Sequence, residues 1–171
     1  GPATSEVPVK FLEEFFKSGI LESLDAVSVH PYRNYQKSPE TAAEDYRKIR
    51  ELIEQHAPAA KRSMPILSGE WGYASHAKGI SLQVQAAFAV RQQLSNLLNG
   101  VPLSIWYDWK NDGTDPNERE HNFGTVTHDL QPKPAYTALK TMTRELSGFH
   151  VVRRVSVGSE QDFALLCANA A

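Results

Sequence analysis

Apolar and polar positions alternate along this chain with two periods, and the two exchange places several times. Phe11, Leu12, Phe15 and Phe16 form a stripe at i, i+1, i+4 and i+5 that predicts a helix ending at Gly19. Ala26-Val27-Ser28-Val29-His30 is a short β-branched run stopped by Pro31 and predicts a strand. Ser38-Pro39-Glu40 carries helix-start signals, with Ser38 as N-cap and Pro39 at the first helical position. Ala42, Tyr46, Ile49 and Ile53 follow at spacings of 4, 3 and 4, which puts them on one face, and His56 and Pro58 mark the end of that helix. Met64-Pro65-Ile66-Leu67 predicts a second strand running into Ser68-Gly69-Glu70-Trp71-Gly72-Tyr73. A helix from about Ile80 to Asn99 is expected to bury Val84, Ala87, Phe88, Leu94 and Leu98, with Gly100 at C′. Val101 to Tyr107 predicts a third strand, followed by a long polar loop from Asp108 to Leu130. Pro134 opens a last helix, with Tyr136, Leu139 and Leu146 inward and Gly148 closing it.

The period then becomes that of paired strands. Val151, Val152, Val155 and Val157, a turn at Gly158-Ser159-Glu160-Gln161, and Phe163-Ala164-Leu165-Leu166 predict an antiparallel hairpin. Strand–helix units in series imply a parallel sheet with right-handed crossovers. A closed (β/α)8 barrel needs eight such strands and typically about 250 residues. The 171 residues supply three predicted parallel strands. The expected fold is therefore α/β: a partial (β/α)8 TIM barrel over residues 1–148, made of about the last three βα units. Residues 149–171 would be the hairpin stub of a further β domain.

Composition adds mainly exclusions. Hydrophobic content of 41% and charged content of 22% are ordinary for a globular domain. The 18 Lys and Arg against 20 Asp and Glu are scattered, so no basic face argues for nucleic acid. No apolar run approaches the roughly 20 residues of a membrane span. A single cysteine, Cys167, rules out an intrachain disulfide and is compatible with either a reducing compartment or export without bridges, so the localisation stays open. Gly1-Pro2-Ala3-Thr4-Ser5 has no signal-peptide pattern and reads as an added tail or a cut inside a longer chain.

The candidate chemistry centres on Glu70. It follows the apolar Ile66 and Leu67, lies between Gly69 and Gly72, and is flanked by aromatics. In parallel α/β sheets the carboxyl ends of the strands carry ligands and catalysis. A carboxylate there suggests sugar chemistry, because glycoside cleavage commonly uses a pair of them. The plainer alternative is a carboxylate capping or salt-bridging at a sheet end. His30 and Tyr32 stand two apart at the end of the preceding strand and are candidates for orienting Glu70; the alternative is a buried His beside a packing Tyr. Alternation sends Trp106 and Asp108 one way and Tyr107 and Trp109 the other, so aromatic planes for a sugar ring stand beside polar groups. The plainer reading, that one Trp fills the interior and another packs under the loop, is expected alongside it. Asp108 to Arg119 partly matches a calcium loop, but Lys110 and Arg119 occupy positions that need ligands. No zinc spacing, nucleophile elbow, phosphate loop or dinucleotide fingerprint is present, and no cofactor is expected.

Val27-Ser28-Val29-His30-Pro31-Tyr32, Ser68-Gly69-Glu70-Trp71-Gly72 and Ser104-Ile105-Trp106-Tyr107-Asp108-Trp109 through Asn122-Phe123-Gly124 together resemble retaining glycoside hydrolases of the large TIM-barrel clan, nearest to family 39 and family 5-like enzymes. Pro132-Lys133-Pro134-Ala135-Tyr136 resembles the start of their last barrel helix. The resemblance implies Glu70 as catalytic nucleophile at the end of the seventh strand. It also implies His30 and Tyr32 as polar site residues of the sixth, and Trp106 as the sugar-platform Trp of the eighth. With Trp71 and Asp108 these form the expected substrate-binding set. The hairpin would open the β-sandwich that often follows such barrels. The family's general acid/base stands in an Asn-Glu pair ending the fourth strand; here the one such pair, Asn117-Glu118, lies in the long loop. Loss of a positioned acid costs about 10²–10⁴-fold.

Three expectations follow. The chain is part of a retaining glycosidase acting on an oligo- or polysaccharide, weak or inactive alone. It associates with itself or with the rest of a barrel, to cover unpaired edges. Or it is a noncatalytic carbohydrate-binding module using Trp71, Trp106 and Trp109.

Overall fold

The computed structural model describes residues 1–159 and 162–169. Glu160 and Gln161 of the expected turn, and the last two residues, lie outside them. Four strands form one parallel sheet in sequence order: β1 (Pro2–Ser5), β2 (Val27–His30), β3 (Ile66–Trp71) and β4 (Ser104–Trp106). The helices between and after them are α1 (Val9–Lys17), α2 (Ala42–His56), α3 (Leu82–Leu98) and α4 (Pro134–Glu145). An antiparallel pair, β5 (Phe149–Val155) and β6 (Ala164–Asn169), makes a separate two-stranded sheet, with β5 packed on α3. No helix among the described residues is long and apolar enough to cross a membrane.

The sheet has one strand more than the hydrophobic pattern predicts. Pro2–Ser5 pairs parallel with β2, Ser5 opposite His30, and the Ser28 amide donates to the Gly1 carbonyl at 3.1 Å. A parallel edge strand is held by its backbone, so its side chains need no apolar alternation. That is why a segment read as a tail is part of the sheet.

The core lies between the sheet and α1–α2. Val27, Val29 and Ile66 from the strands meet Leu12 and Phe16 of α1 and Ala42, Tyr46, Ile49 and Ile53 of α2, all buried. The α2 face is the one its spacing predicts. Its start differs: Ser38 precedes a 3-10 turn, Pro39–Thr41, and makes no side-chain cap, while α2 proper begins at Ala42.

α3 departs further. Its buried face is Gln85, Ala89, Gln92, Ser95 and Asn96, while Val84 is 38% exposed and Ala87 is exposed. Phe88, Leu94 and Leu98 are half-buried. Amides occupy this side because they donate to the carbonyls of Trp71, Tyr73, Asn122 and Phe123 and to the Ser104 hydroxyl. The Ser81 hydroxyl caps its start, accepting from the Val84 amide at 3.2 Å. At its end the Gly100 and Val101 amides donate to the Leu97 and Asn96 carbonyls, the Schellman arrangement. In α4 only Ala135 is fully buried; Leu139 and Leu146 are half-buried and Tyr136 is 37% exposed.

Candidate functional site

β2 and β3 deliver their last side chains to the same end of the sheet. Their register sets Ser28 beside Leu67 and Val29 beside Ser68, so His30 and Tyr32 approach Glu70. Gly69 makes that approach possible: a Cβ there would sit 2.5 Å from Ser28 Oγ and 3.3 Å from His30 Nε2. The Tyr32 hydroxyl donates to Glu70 Oε1 at 2.7 Å, and His30 Nδ1 lies 4.0 Å from the same oxygen. Burial, then the hydrogen bond to Glu70, pushes the Tyr32 phenol far above its ordinary value, so it stays a donor across the physiological range.

Glu70 opens into a cavity of about 500 Å³ that Tyr32, Tyr107 and Phe123 line, with Glu6, Arg119 and Glu120 around the rim. The three rings interlock. Phe123 meets Tyr32 edge-on at 6.3 Å between centroids and Tyr107 at 5.2 Å. The Arg119 guanidinium sits 4.7 Å over the Phe123 ring and pairs with Glu120 at 3.0 Å. Burial, followed by the acidic neighbours Asp112, Glu120, Asp108 and Glu70, raises the Tyr107 phenol. A second cavity of about 380 Å³ adjoins the first through Glu6, Tyr32 and Arg119 and adds Tyr35, Tyr73 and His76.

β3 and β4 meet where the site closes. The Tyr107 amide donates to the Trp71 carbonyl at 3.0 Å, Trp71 pairs with Trp106, and the Tyr107–Asp108 peptide is cis. Gly72 lies so close to this turn that a Cβ on it would fall 1.6 Å from the Tyr107 carbonyl oxygen.

Of the six residues expected in the site, His30, Tyr32 and Glu70 come together. Trp71 does not join them: it is completely buried, tilted against Tyr73 in the core, and offers no ring face to a ligand. The strand turns its side chain toward the helices, where a large apolar ring fills the core. Trp106 is half-buried against the core, its indole N–H donating to the Phe123 carbonyl at 3.2 Å. Asp108 accepts from the Trp109 amide, and Trp109 is 62% exposed. Neither Trp106 nor Asp108 lines the Glu70 cavity. Tyr107, Phe123, Arg119 and Glu120 do so and were not expected. Tyr107 was legible as an aromatic at a strand end, but Arg119 to Phe123 reach the site only because the long loop folds back.

No family model matches the chain, and no curated protein does. Its structure is similar to a family 39 glycoside hydrolase from the gut symbiont Bacteroides cellulosilyticus WH2, with a TM-score of 0.74 and 22% identity over 94% of this chain and 37% of that one. A GH39 β-xylosidase from Caulobacter crescentus aligns over 99% of this chain and 34% of its own, at 21% identity and a TM-score of 0.57. The GH39 enzyme from Xanthomonas axonopodis pv. citri aligns over 93% and 34%, at 17% identity and 0.59. The chain thus spans about a third of the length of these structures. At such identities the likeness establishes the fold alone, part of a (β/α) barrel with four parallel strands rather than three.

Proposed function

We propose that the Glu70 cavity is the nucleophile side of a retaining O-glycosyl hydrolase site acting on an oligo- or polysaccharide. The supporting observation is a carboxylate at the carboxyl end of a parallel strand, held by the Tyr32 hydroxyl inside an aromatic-lined cavity. In this reading a Glu70 oxygen attacks the anomeric carbon as the bond to the leaving oxygen breaks, and water later hydrolyses the glycosyl ester. Tyr32 fixes which carboxylate oxygen faces the sugar. The chain carries no Asn-Glu at a strand end to serve as the acid the resemblance implies, and in this reading the rim carboxylates Glu6 and Glu120 do not take its place. Glycosides whose leaving group is stable as an anion are then the ones it turns over, and native glycans react about 10²–10⁴-fold more slowly than with an acid in place.

The test is a leaving-group series of aryl xylosides and glucosides. Dinitrophenyl glycosides should react far faster than phenyl glycosides, and Glu70→Gln should abolish the reaction. Turnover that survives that substitution sinks the assignment.

Leu103 and Ile105, 47% and 48% exposed, flank Ser104, and β1 and β4 each keep one edge unpaired among the described residues. This supports association with a second copy or with further βα units; a clean monomer in light scattering at micromolar concentration counts against it. The exposed Trp109 favours a noncatalytic carbohydrate-binding reading, supported if polysaccharide binding without hydrolysis is lost in Trp109→Ala. Residues 149–171 are taken as the opening of a further β domain, because β5 and β6 form a sheet of their own.

A further inference from the structure

Two neighbouring backbone carbonyls gather hydrogen-bond donors from almost every element around the site. The Asn122 carbonyl accepts from the Ser75 amide (3.0 Å), the Ser75 hydroxyl (3.3 Å), Gln85 Nε2 (3.2 Å) and Lys133 Nζ (3.2 Å). The Phe123 carbonyl accepts from Gln85 Nε2 (3.3 Å), the Trp106 indole (3.2 Å) and the Asp108 amide (3.4 Å). These donors come from the chain leaving β3, the first turns of α3, the end of β4, and the residue that precedes α4. A carbonyl has two lone pairs, so such convergence far exceeds what satisfying the backbone requires.

Gln85 is the common member. It is fully buried, and its amide nitrogen also donates to the Tyr73 carbonyl at 2.7 Å, two residues beyond β3. Three carbonyls therefore face its two N–H groups, and only the nitrogen end can point at them. Its Oε1 is buried with no partner among the described residues. A group that costs free energy to leave unpaired is tolerated here because the donor end is needed. Lys133 is 4% exposed, has no carboxylate partner among the described residues, and donates to Asn111 Oδ1 (3.1 Å) besides Asn122. Asn122 extends the hold outward: its Nδ2 donates to the Asp115 (2.8 Å) and Glu118 (2.7 Å) carbonyls.

We propose that Gln85 and Lys133 are positioning residues that clamp Asn122–Phe123 to the exit of β3, so that Phe123, Arg119 and Glu120 stand as a preformed wall beside Glu70. The clamp makes the long loop after β4 the specificity-determining edge of the site: Phe123 offers an apolar edge, and the Arg119–Glu120 pair offers donors and acceptors to sugar hydroxyls. That choice of ligand rests on the glycosidase reading; the clamp does not.

The test is native-state amide hydrogen exchange on the full chain, with Gln85→Met and Lys133→Met, each of which removes donors while filling a similar volume. Exchange at Asn122, Thr125 and Val126 should speed up at least tenfold in either variant, with Val27 and Ser68 of the sheet unchanged. Equal acceleration in sheet and loop would reduce Gln85 and Lys133 to ordinary core residues, and no acceleration would remove the clamp altogether. If Gln85→Met does not fold, Lys133→Met alone decides by the same criterion. In parallel, xylose, xylobiose and laminaribiose are titrated into the wild type, Gln85→Met and Arg119→Ala. Weaker binding in both variants supports the wall's role in substrate choice. Unchanged binding, or no binding to the wild type, overturns that role and, in the latter case, the sugar reading with it, while the exchange result still judges the clamp.

Discussion

Gly72→Ala tests the claim that β3 and β4 close the site by direct backbone contact. A Cβ at this position would lie 1.6 Å from the Tyr107 carbonyl oxygen, 2.8 Å from its carbon and 3.3 Å from Phe123 Cδ1. Non-bonded carbon atoms settle at about 3.5–4.0 Å, so the two chain segments must separate by roughly 2 Å. The obstacle is backbone, which cannot swing aside as a side chain would. That separation takes with it the Tyr107-to-Trp71 hydrogen bond of 3.0 Å, worth about 1 kcal/mol net. Overpacking adds about 1–3 kcal/mol. The expected loss is about 2–4 kcal/mol, a large part of a typical domain's stability of about 5–15 kcal/mol. Urea unfolding should show a lower midpoint with an unchanged m value. The Tyr107 and Phe123 ring resonances should shift together, because those rings are in contact. A variant within about 0.5 kcal/mol of the wild type, the range of neutral surface changes, would mean that the strand ends do not meet as described.

Three further outcomes are expected. Ile49→Ala, at a fully buried α2 position, should cost about 2–5 kcal/mol in chemical denaturation, and a loss under 1 kcal/mol would contradict the α1–α2–sheet core. Tyr32→Phe removes the donor to Glu70; a hydrogen bond to a charged group contributes about 1.5–3 kcal/mol, discounted here because Glu70 is 38% exposed. Glycosylation of Glu70 should slow about fivefold to thirtyfold, with a modest fall in the unfolding midpoint from the same lost bond, and an unaltered rate would detach Tyr32 from the site. Burial lowers Lys133 to about 8, whereas an unfolded lysine titrates near 10.4. Between those values the unfolded chain binds more protons, so this group makes the fold more stable as pH rises. The stability of the wild type relative to Lys133→Met should climb from about pH 8 to about pH 10, and a flat difference would contradict the burial of its ammonium.

What the sequence revealed depended on which force shaped each element. The α2 face was readable because Ala42, Tyr46, Ile49 and Ile53 are apolar side chains buried for the usual reason. Glu70, His30 and Tyr32 were readable because they end strands whose apolar runs are visible. α3 was misread because its inward face answers to hydrogen bonding: Gln92 donates to the Trp71 carbonyl at 3.1 Å and Asn96 to the Ser104 hydroxyl at 2.8 Å. A count of apolar residues at helical spacing selects a different face, whose Phe88, Leu94 and Leu98 are only half-buried. β1 was missed because its partner grips its backbone and leaves no mark on its side chains. Trp71 was assigned to a ligand because aromatic neighbours of a catalytic carboxylate look alike in sequence, whether they face a sugar or the core. The wall of Arg119, Glu120 and Phe123 depends in part on Gln85, which lies 37 and 38 residues from the two carbonyls it holds, a contact no local pattern records. A buried lysine and glutamine without carboxylate partners were the available signal, visible only once the chain was folded.

Whether Glu70 is the nucleophile of a sugar-cleaving site is tested most directly by covalent trapping. A dinitrophenyl glycoside of a fluorinated sugar transfers its glycosyl group to the attacking carboxylate, releases dinitrophenolate without needing an acid, and leaves an ester that hydrolyses slowly. After proteolysis, mass spectrometry should place one glycosyl group on the peptide containing Glu70, with none on the Glu70→Gln variant. A glycosyl group on another residue, or none on a folded wild-type chain, would contradict it.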